Sequence, residues 1–167
     1  SLATGWNWIG YTPQTSLGIN NALSNIGSDN ATYIKSQSGF ADYYSGYGWY
    51  GQLSTMDPFV GYQIYMVNED EFTYPEDVGL VMSSNRYDKE YIFSDVAWDV
   101  NPHDYEFNGS ATIQISLDAE ILNSNQYQLI AFDENGQCVG LARSYKFPLT
   151  DSYVFGLMMY NNEEYAQ

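Results

Sequence analysis

The sequence predicts a mainly β chain: a small β-rich module with one short helix, followed by an antiparallel β-sandwich (Ig-like) module. Three observations carry this. Short alternating runs of Trp, Tyr, Ile and Val recur along the chain, as half-buried strands require. A single stretch shows helical spacing. Asn135-Gly136, flanked by apolar runs, marks a two-residue hairpin turn.

The first strand is Trp6-Asn7-Trp8-Ile9-Gly10-Tyr11. Alternation puts Trp6 and Trp8 on one face and Asn7, Ile9 and Tyr11 on the other. Two indoles on one face call for a thick apolar layer opposite, and Gly48-Trp49-Tyr50-Gly51 is the natural partner. A helix over residues 16–26 follows, capped by Ser16 and closed by Gly27. Its stripe is Ile19, Ala22, Leu23 and Ile26. Strands are expected over 33–37, 40–44 (turning at Ser45-Gly46), 47–53 and 61–67, with a turn at Asp57-Pro58. In the last of these, Tyr62, Ile64 and Met66 oppose Gln63, Tyr65 and Val67.

The first module is placed at residues 1–70. Residues 71–97 read as an acidic linker with short strands at 78–82 and 90–93, and residues 98–167 as the sandwich module. There, Ile113, Ile115 and Leu117 alternate with Thr112, Gln114 and Ser116, a sheet with one wet side. Around Asn135-Gly136 the counted register opposes Glu134 to Gln137, Asp133 to Cys138, Phe132 to Val139 and Ile130 to Leu141. Residues 153–160 are apolar on both faces, as in a central strand. Little sequence remains to flank it, so a following segment or another subunit is expected to complete the sheet.

Composition narrows the function. Of 167 residues, 5 are Lys or Arg and 21 are Asp or Glu, a net charge of −16. Such a surface repels nucleic-acid backbones and anionic membranes. No apolar run approaches the roughly 20 residues of a membrane helix. No signal peptide precedes the first strand, as in a chain that is mature or cut from a longer one. The 17 Tyr favour strands with wet hydroxyls. Cys138 is the single cysteine, which excludes an internal disulfide; it reads as a small buried hydrophobe or an intermolecular partner.

No Gly-x-Ser-x-Gly, His-Glu-x-x-His or phosphate-cradling loop occurs. His103 is the only histidine and reads as a loop residue beside Pro102; one His and one Cys cannot make an ordinary structural zinc site. Asp95, Asp99, Asp104 and Glu106 cluster near Trp98, but nothing sets a glycosidase pair apart. The expectation is therefore no catalysis and no obligatory cofactor. Asp70, Glu71, Glu76 and Asp77 are a solvated run or a calcium site without EF-hand spacing. Asn30-Ala31-Thr32 and Asn108-Gly109-Ser110 are sequons for an N-linked glycan, the first in a helix–strand loop and the second in a turn. Tyr43, Tyr44, Tyr47, Trp49 and Tyr50 surround a Gly-rich turn. They form either a platform for stacking sugar rings or core packed on Trp6 and Trp8.

These residues also carry a resemblance. Gly5-Trp6-Asn7-Trp8-Ile9, Asn21-Ala22-Leu23, Tyr33-Ile34-Lys35-Ser36-Gln37, Phe40-Ala41, Gly48-Trp49-Tyr50-Gly51-Gln52-Leu53 and Gly61-Tyr62 resemble GWNWIS-type repeat modules. Such modules recur in large secreted and surface proteins of Bacteroidetes-like marine bacteria and some microalgae. The second half resembles a module often found beside them, through Trp98-Asp99-Val100-Asn101-Pro102, Gly136-Gln137-Cys138-Val139-Gly140-Leu141-Ala142 and residues 153–160. Here Phe59 stands where that turn usually has Gly, and Val139 where Arg usually follows the Cys. The resemblance implies a surface location and one repeat of a longer assembly, not chemistry. Together the expectation is a non-enzymatic structural or adhesive module of an extracellular filament or surface structure. It would associate with copies of itself or neighbouring modules through sheet edges and Tyr-rich faces. A carbohydrate-binding adhesion domain is the alternative. Trp6, Trp8, Trp98, Asn135, Gly136 and Cys138 are its expected structural residues.

Overall fold

The computed structural model describes residues 1–75 and 98–162. The expected strands at 78–82 and 90–93 lie outside these residues, as do Glu76, Asp77 and Asp95. The chain divides into two units, Ser1–Ser36 with Phe40–Ile92, and Gln37–Gly39 with Phe93–Gln167. The fold is mainly β, with antiparallel sheets and one short α-helix among the described residues.

The first unit contains β1 (Gly5–Gly10), β2 (Leu17–Gly18), α1 (Ile19–Ala22), β3 (Ala31–Lys35), β4 (Phe40–Tyr44), β5 (Gly48–Gly51), β6 (Thr55–Met56) and β7 (Gly61–Met66). Five strands form one sheet in the order β1-β7-β3-β4-β5, and β2 pairs with β6 separately. The alternation in β7 is as expected: Tyr62, Ile64 and Met66 are buried and the residues between them are not. With Ile34, Ala41 and Trp49 they make the inner face, covered by Ile19, Ala22, Leu23 and Met56. Burial of this cluster is the unit's main source of stability.

The helix differs from its expectation. It is one turn, and Ser16 does not cap it: the Ser16 hydroxyl donates to Asp57. Leu17 and Gly18 are drawn into pairing with β6 instead, and Gly18 is the N-terminal flanking residue. The apolar stripe is buried as expected, so tertiary contact rather than helix length holds it. The module boundary also moves. Leu2 and Asp70 exchange backbone hydrogen bonds at 2.7 and 3.0 Å. Phe72 and Tyr74 pack on the first core, with Tyr74 edge-on to Tyr11 at 5.0 Å. Residues 71–75 thus belong to the first unit and not to a solvated linker. Burial pushes the Tyr74 hydroxyl up to about 12.

In the second unit, β8 (Phe107–Ile113), β9 (Ser116–Leu117), β10 (Glu120–Ile121), β11 (Gln128–Phe132), β12 (Cys138–Lys146) and β13 (Tyr153–Asn161) follow a 3-10 turn at Pro102–Asp104. The main sheet runs β11-β12-β13-β8. Residues 153–160 do form a central strand, buried on both faces. Its flanking strands come from earlier in the chain, so no later segment is needed to flank it. Pairing with β13 ends at Ile113, while the expected alternation holds through Ile115, which packs on the core, and fails at Leu117, which is exposed. Residues 116–121 turn back as a separate hairpin through Asp118 and Ala119, whose φ of 52° and 66° are those of a primed turn.

The Asn135-Gly136 hairpin is real, but its loop has three residues. Gly136 N–H donates to Asp133 O, Asp133 N–H donates to Gln137 O, and only Gly136 has a positive φ, at 79°. The Asp133 carboxylate also accepts the N–H groups of Asn135 and Gln137 at 2.9 and 2.8 Å. These bonds favour a type I turn with a Gly bulge over the two-residue form, in which both central residues need positive φ. Phe132 therefore pairs with Cys138, not Val139. A bulge then restores the expected pairing of Ile130 with Leu141.

Candidate functional site

The first sheet has two edge strands with related sequences, Gly5-Trp6-Asn7-Trp8 in β1 and Gly48-Trp49-Tyr50-Gly51 in β5. They end up in different states. Trp49 is 6% exposed and packs edge-on to Tyr43 at 5.3 Å. Trp6 and Trp8 are 55% and 78% exposed. The indoles of β1 thus do not meet a thick apolar layer. Its inward residues are Asn7 and Ile9, and it is Ile9 that packs against the core.

The outer face is built by the register. Trp6 lies opposite Tyr65, Tyr65 opposite Tyr33, and Tyr33 opposite Asp42. Trp8 lies opposite Gln63, and Gln63 opposite Lys35. Trp6 meets Tyr65 and Tyr33 edge-on at 5.3 and 5.8 Å, and the Lys35 ammonium sits 5.6 Å over its ring. Burial lowers the Lys35 ammonium and raises the Asp42 carboxyl from their ordinary values. The Trp8 indole makes no ring contact among the described residues and is the most open part of this surface.

The backbone edges differ as much as the indoles. Tyr11 N–H donates to Val60 O in the β1–β7 register, so Gly5, Asn7 and Ile9 face β7. Trp6 and Trp8 turn their N–H and C=O to the outside of the sheet, where no described residue takes them up. On β5 the corresponding groups are closed. The Asn20 side chain accepts from Trp49 N–H at 2.7 Å and donates to Trp49 O at 3.2 Å. One amide on α1 thus mimics a neighbouring strand, a way of blunting an edge.

Tyr43, Tyr44, Tyr47, Trp49 and Tyr50 do not form one platform. Tyr43 and Trp49 turn into the core, Tyr44 and Tyr50 meet edge-on at 6.4 Å, and Tyr47 alone is exposed. Trp49 packs there with Tyr43, while Trp6 and Trp8 point away. A shallow cleft beside Trp49 is lined by Asn20, Ser24, Asp29 and Tyr43.

Asp70 works as a clamp. Its Oδ2 accepts Gly27 N–H at 2.8 Å and the Asn30 side chain at 3.1 Å, and its Oδ1 accepts Glu71 N–H at 2.8 Å. These bonds, Gly27's foremost, hold its carboxyl below the usual range. Among the described residues, no three His, Cys, Asp or Glu side chains gather as metal ligands. Asn30 sits in a loop as expected, its amide nitrogen bonded to Asp70; Asn108 lies within strand β8, not in a turn.

Cys138 is buried, its thiol directed to Gly140 O at 3.8 Å, so it is not presented to another chain. His103 is an exposed residue of the 3-10 turn. Trp98 stands edge-on to Phe132 at 4.8 Å. Sequence reasoning missed Asn20, Gln63, Tyr65 and the exposure of the Trp6–Trp8 face. Asn20 carries no sequence signal; the face had one, since Asn7-Ile9-Tyr11 is itself a plausible inward set. No helix among the described residues is long and apolar enough to cross a membrane. Compared with family models, curated proteins and solved structures, the chain matches none of them.

Proposed function

We infer that this chain is a non-enzymatic structural and adhesive module of an extracellular surface assembly or filament, joined to its neighbours through β1. The observation that carries this is the inequality of the two edges. At β5 the unit seals an edge with one side chain, whereas among the described residues nothing takes up the outward backbone of Trp6 and Trp8 in β1, whose two indoles are exposed. An open edge with apolar side chains alongside is the form that recruits another strand. Exposed Trp and Tyr supply the rest of such a contact. The resemblance to GWNWIS-type repeats supports the same reading, including the secreted location. Sedimentation equilibrium over a wide concentration range tests it: the weight-average mass rises with concentration, and a constant monomer mass counts against it.

A carbohydrate-binding role is the second reading, and the outer face favours it. Trp8, Trp6 and Tyr65 present exposed aromatic surface beside the Gln63 amide. Stacked rings with polar neighbours are what a neutral sugar chain needs. Retention on insoluble polysaccharide that Trp8→Ala abolishes would support it; equal retention of both proteins would dismiss it.

A further inference from the structure

We propose that the occupant of the β1 edge is the β1 edge of a second copy, paired antiparallel about a two-fold axis at Asn7. The inference rests on the assembly reading above and adds the partner and the register. The outward backbone groups of β1 that no described residue takes up belong to Trp6 and Trp8; Gly10 O, which also faces outward, accepts from the Tyr74 hydroxyl at 3.1 Å and marks one end of the open stretch. About Asn7 the stretch is a palindrome, Trp-Asn-Trp. Antiparallel pairing centred there puts Trp6 of one copy opposite Trp8 of the other, and Trp8 opposite Trp6. Each such pair exchanges both backbone bonds, so every outward N–H and C=O of these residues is satisfied. A register shifted by two residues leaves one Trp of each copy without its counterpart.

The side chains agree with the backbone. A two-fold axis normal to the sheet keeps each copy's outer face on the same side, so the four indoles meet as cross-strand neighbours. Aromatic cross-strand pairs are favourable, and indoles bring large apolar areas to a contact. Isologous contact of one patch with itself is also the commonest form of homodimer. Residues Gly5–Gly10 contain no ionisable side chain, in a chain of net charge −16. The strand itself is therefore neutral, the nearest charge being the Lys35 ammonium over the Trp6 ring, and the opposing force is long-range repulsion between two acidic bodies, which salt screens. The contact is small by interface standards, so it is concentration-dependent.

Three measurements on the full chain test this. Sedimentation at low and high salt should show association about tenfold tighter at high salt. Hydrogen exchange of the Trp6 and Trp8 amides should slow as association proceeds, while the Asn7 and Ile9 amides, already bonded to β7, change little. In Asn7→Cys, the two new thiols face each other across a pair that does not exchange hydrogen bonds, at about 4.5 Å between Cα atoms. That is within the span of a disulfide. Mild oxidation should give a covalent dimer, and Tyr47→Cys, at an exposed position elsewhere, should not. Asn7 bonds Ala3 and Gly5, so if its replacement unfolds the chain the exchange measurement on unaltered protein decides. Association that weakens with salt, or slowed Trp6 and Trp8 exchange without a covalent dimer from folded Asn7→Cys, overturns the two-fold pairing but leaves assembly through β1 standing; association that leaves Trp6 and Trp8 exchange unchanged overturns both. A monomer at every concentration overturns both.

Discussion

The two edge strands of the first sheet differ less in sequence than in what lies beside them. Each begins with Gly-Trp, and each Trp turns its backbone outward from the sheet. At β5 the helix α1 lies alongside, its Asn20 amide bonding both backbone groups of Trp49, and the indole is buried. At β1 the Tyr74 hydroxyl takes up only Gly10 O, at 3.1 Å; no described residue bonds the outward backbone of Trp6 or Trp8, and their indoles are exposed. A Gly-Trp strand is thus neither a core element nor a binding element in itself. The neighbouring element decides which it becomes.

Substitutions separate the two roles. Trp49→Ala should cost about 3–5 kcal/mol, seen as a large drop in denaturation midpoint, because it empties a packed core position. Trp8→Ala should stay within about 0.5 kcal/mol of the parent, since it removes mostly solvated surface. Equal losses at both positions would erase the distinction. Asn20→Ala comes next, at about 1–2 kcal/mol, as it leaves the Trp49 N–H and C=O without their partner. It should also open a second edge, giving larger species in sedimentation than the parent forms.

A smaller effect concerns the turn into β7. Phe59 has a φ of 67° and is 93% exposed, so its ring gains nothing from a strained backbone. Phe59→Gly should stabilise the chain by about 1 kcal/mol. A neutral or negative effect in thermal unfolding would mean the ring is doing something at the surface.

The smallest effect is the pH dependence of the Asp70 clamp. Its folded carboxyl is held below its ordinary value by Gly27 N–H, the Asn30 side chain and Glu71 N–H. A depressed folded value contributes stability above the unfolded value, near 3.9, and loses it as pH falls through the folded one. The stability gap between parent and Asp70→Asn should therefore be full near pH 7 and narrow below about pH 4. A gap that widens on acidification would reverse the assignment.

The fold class was legible because periodicity reports directly on burial. Tyr62-Ile64-Met66 and the two-faced run at 153–160 took the places their patterns implied. The side of β1 that faces inward was not legible. Trp6-Trp8 and Ile9-Tyr11 are both apolar sets, and the choice depends on how thin the covering layer is, a property of distant residues. The Asn135-Gly136 loop was misjudged by one residue because Asp133 captures two N–H groups, a local competition that the dipeptide alone does not reveal. The 71–75 stretch looked solvated from its charges, yet Phe72 and Tyr74 pack on the first core. The candidate site was half legible: its residues stood out as Trp, but their exposure and the free backbone beside them required the register.

The account turns on β1 being the edge that makes contact, and one comparison tests it most directly. Sedimentation of the parent chain beside Trp8→Lys places a charged edge residue, a known deterrent to strand addition, where the open backbone lies. The account predicts a parent whose mass rises with concentration and a folded variant that stays monomeric. A variant that associates as the parent does would contradict it.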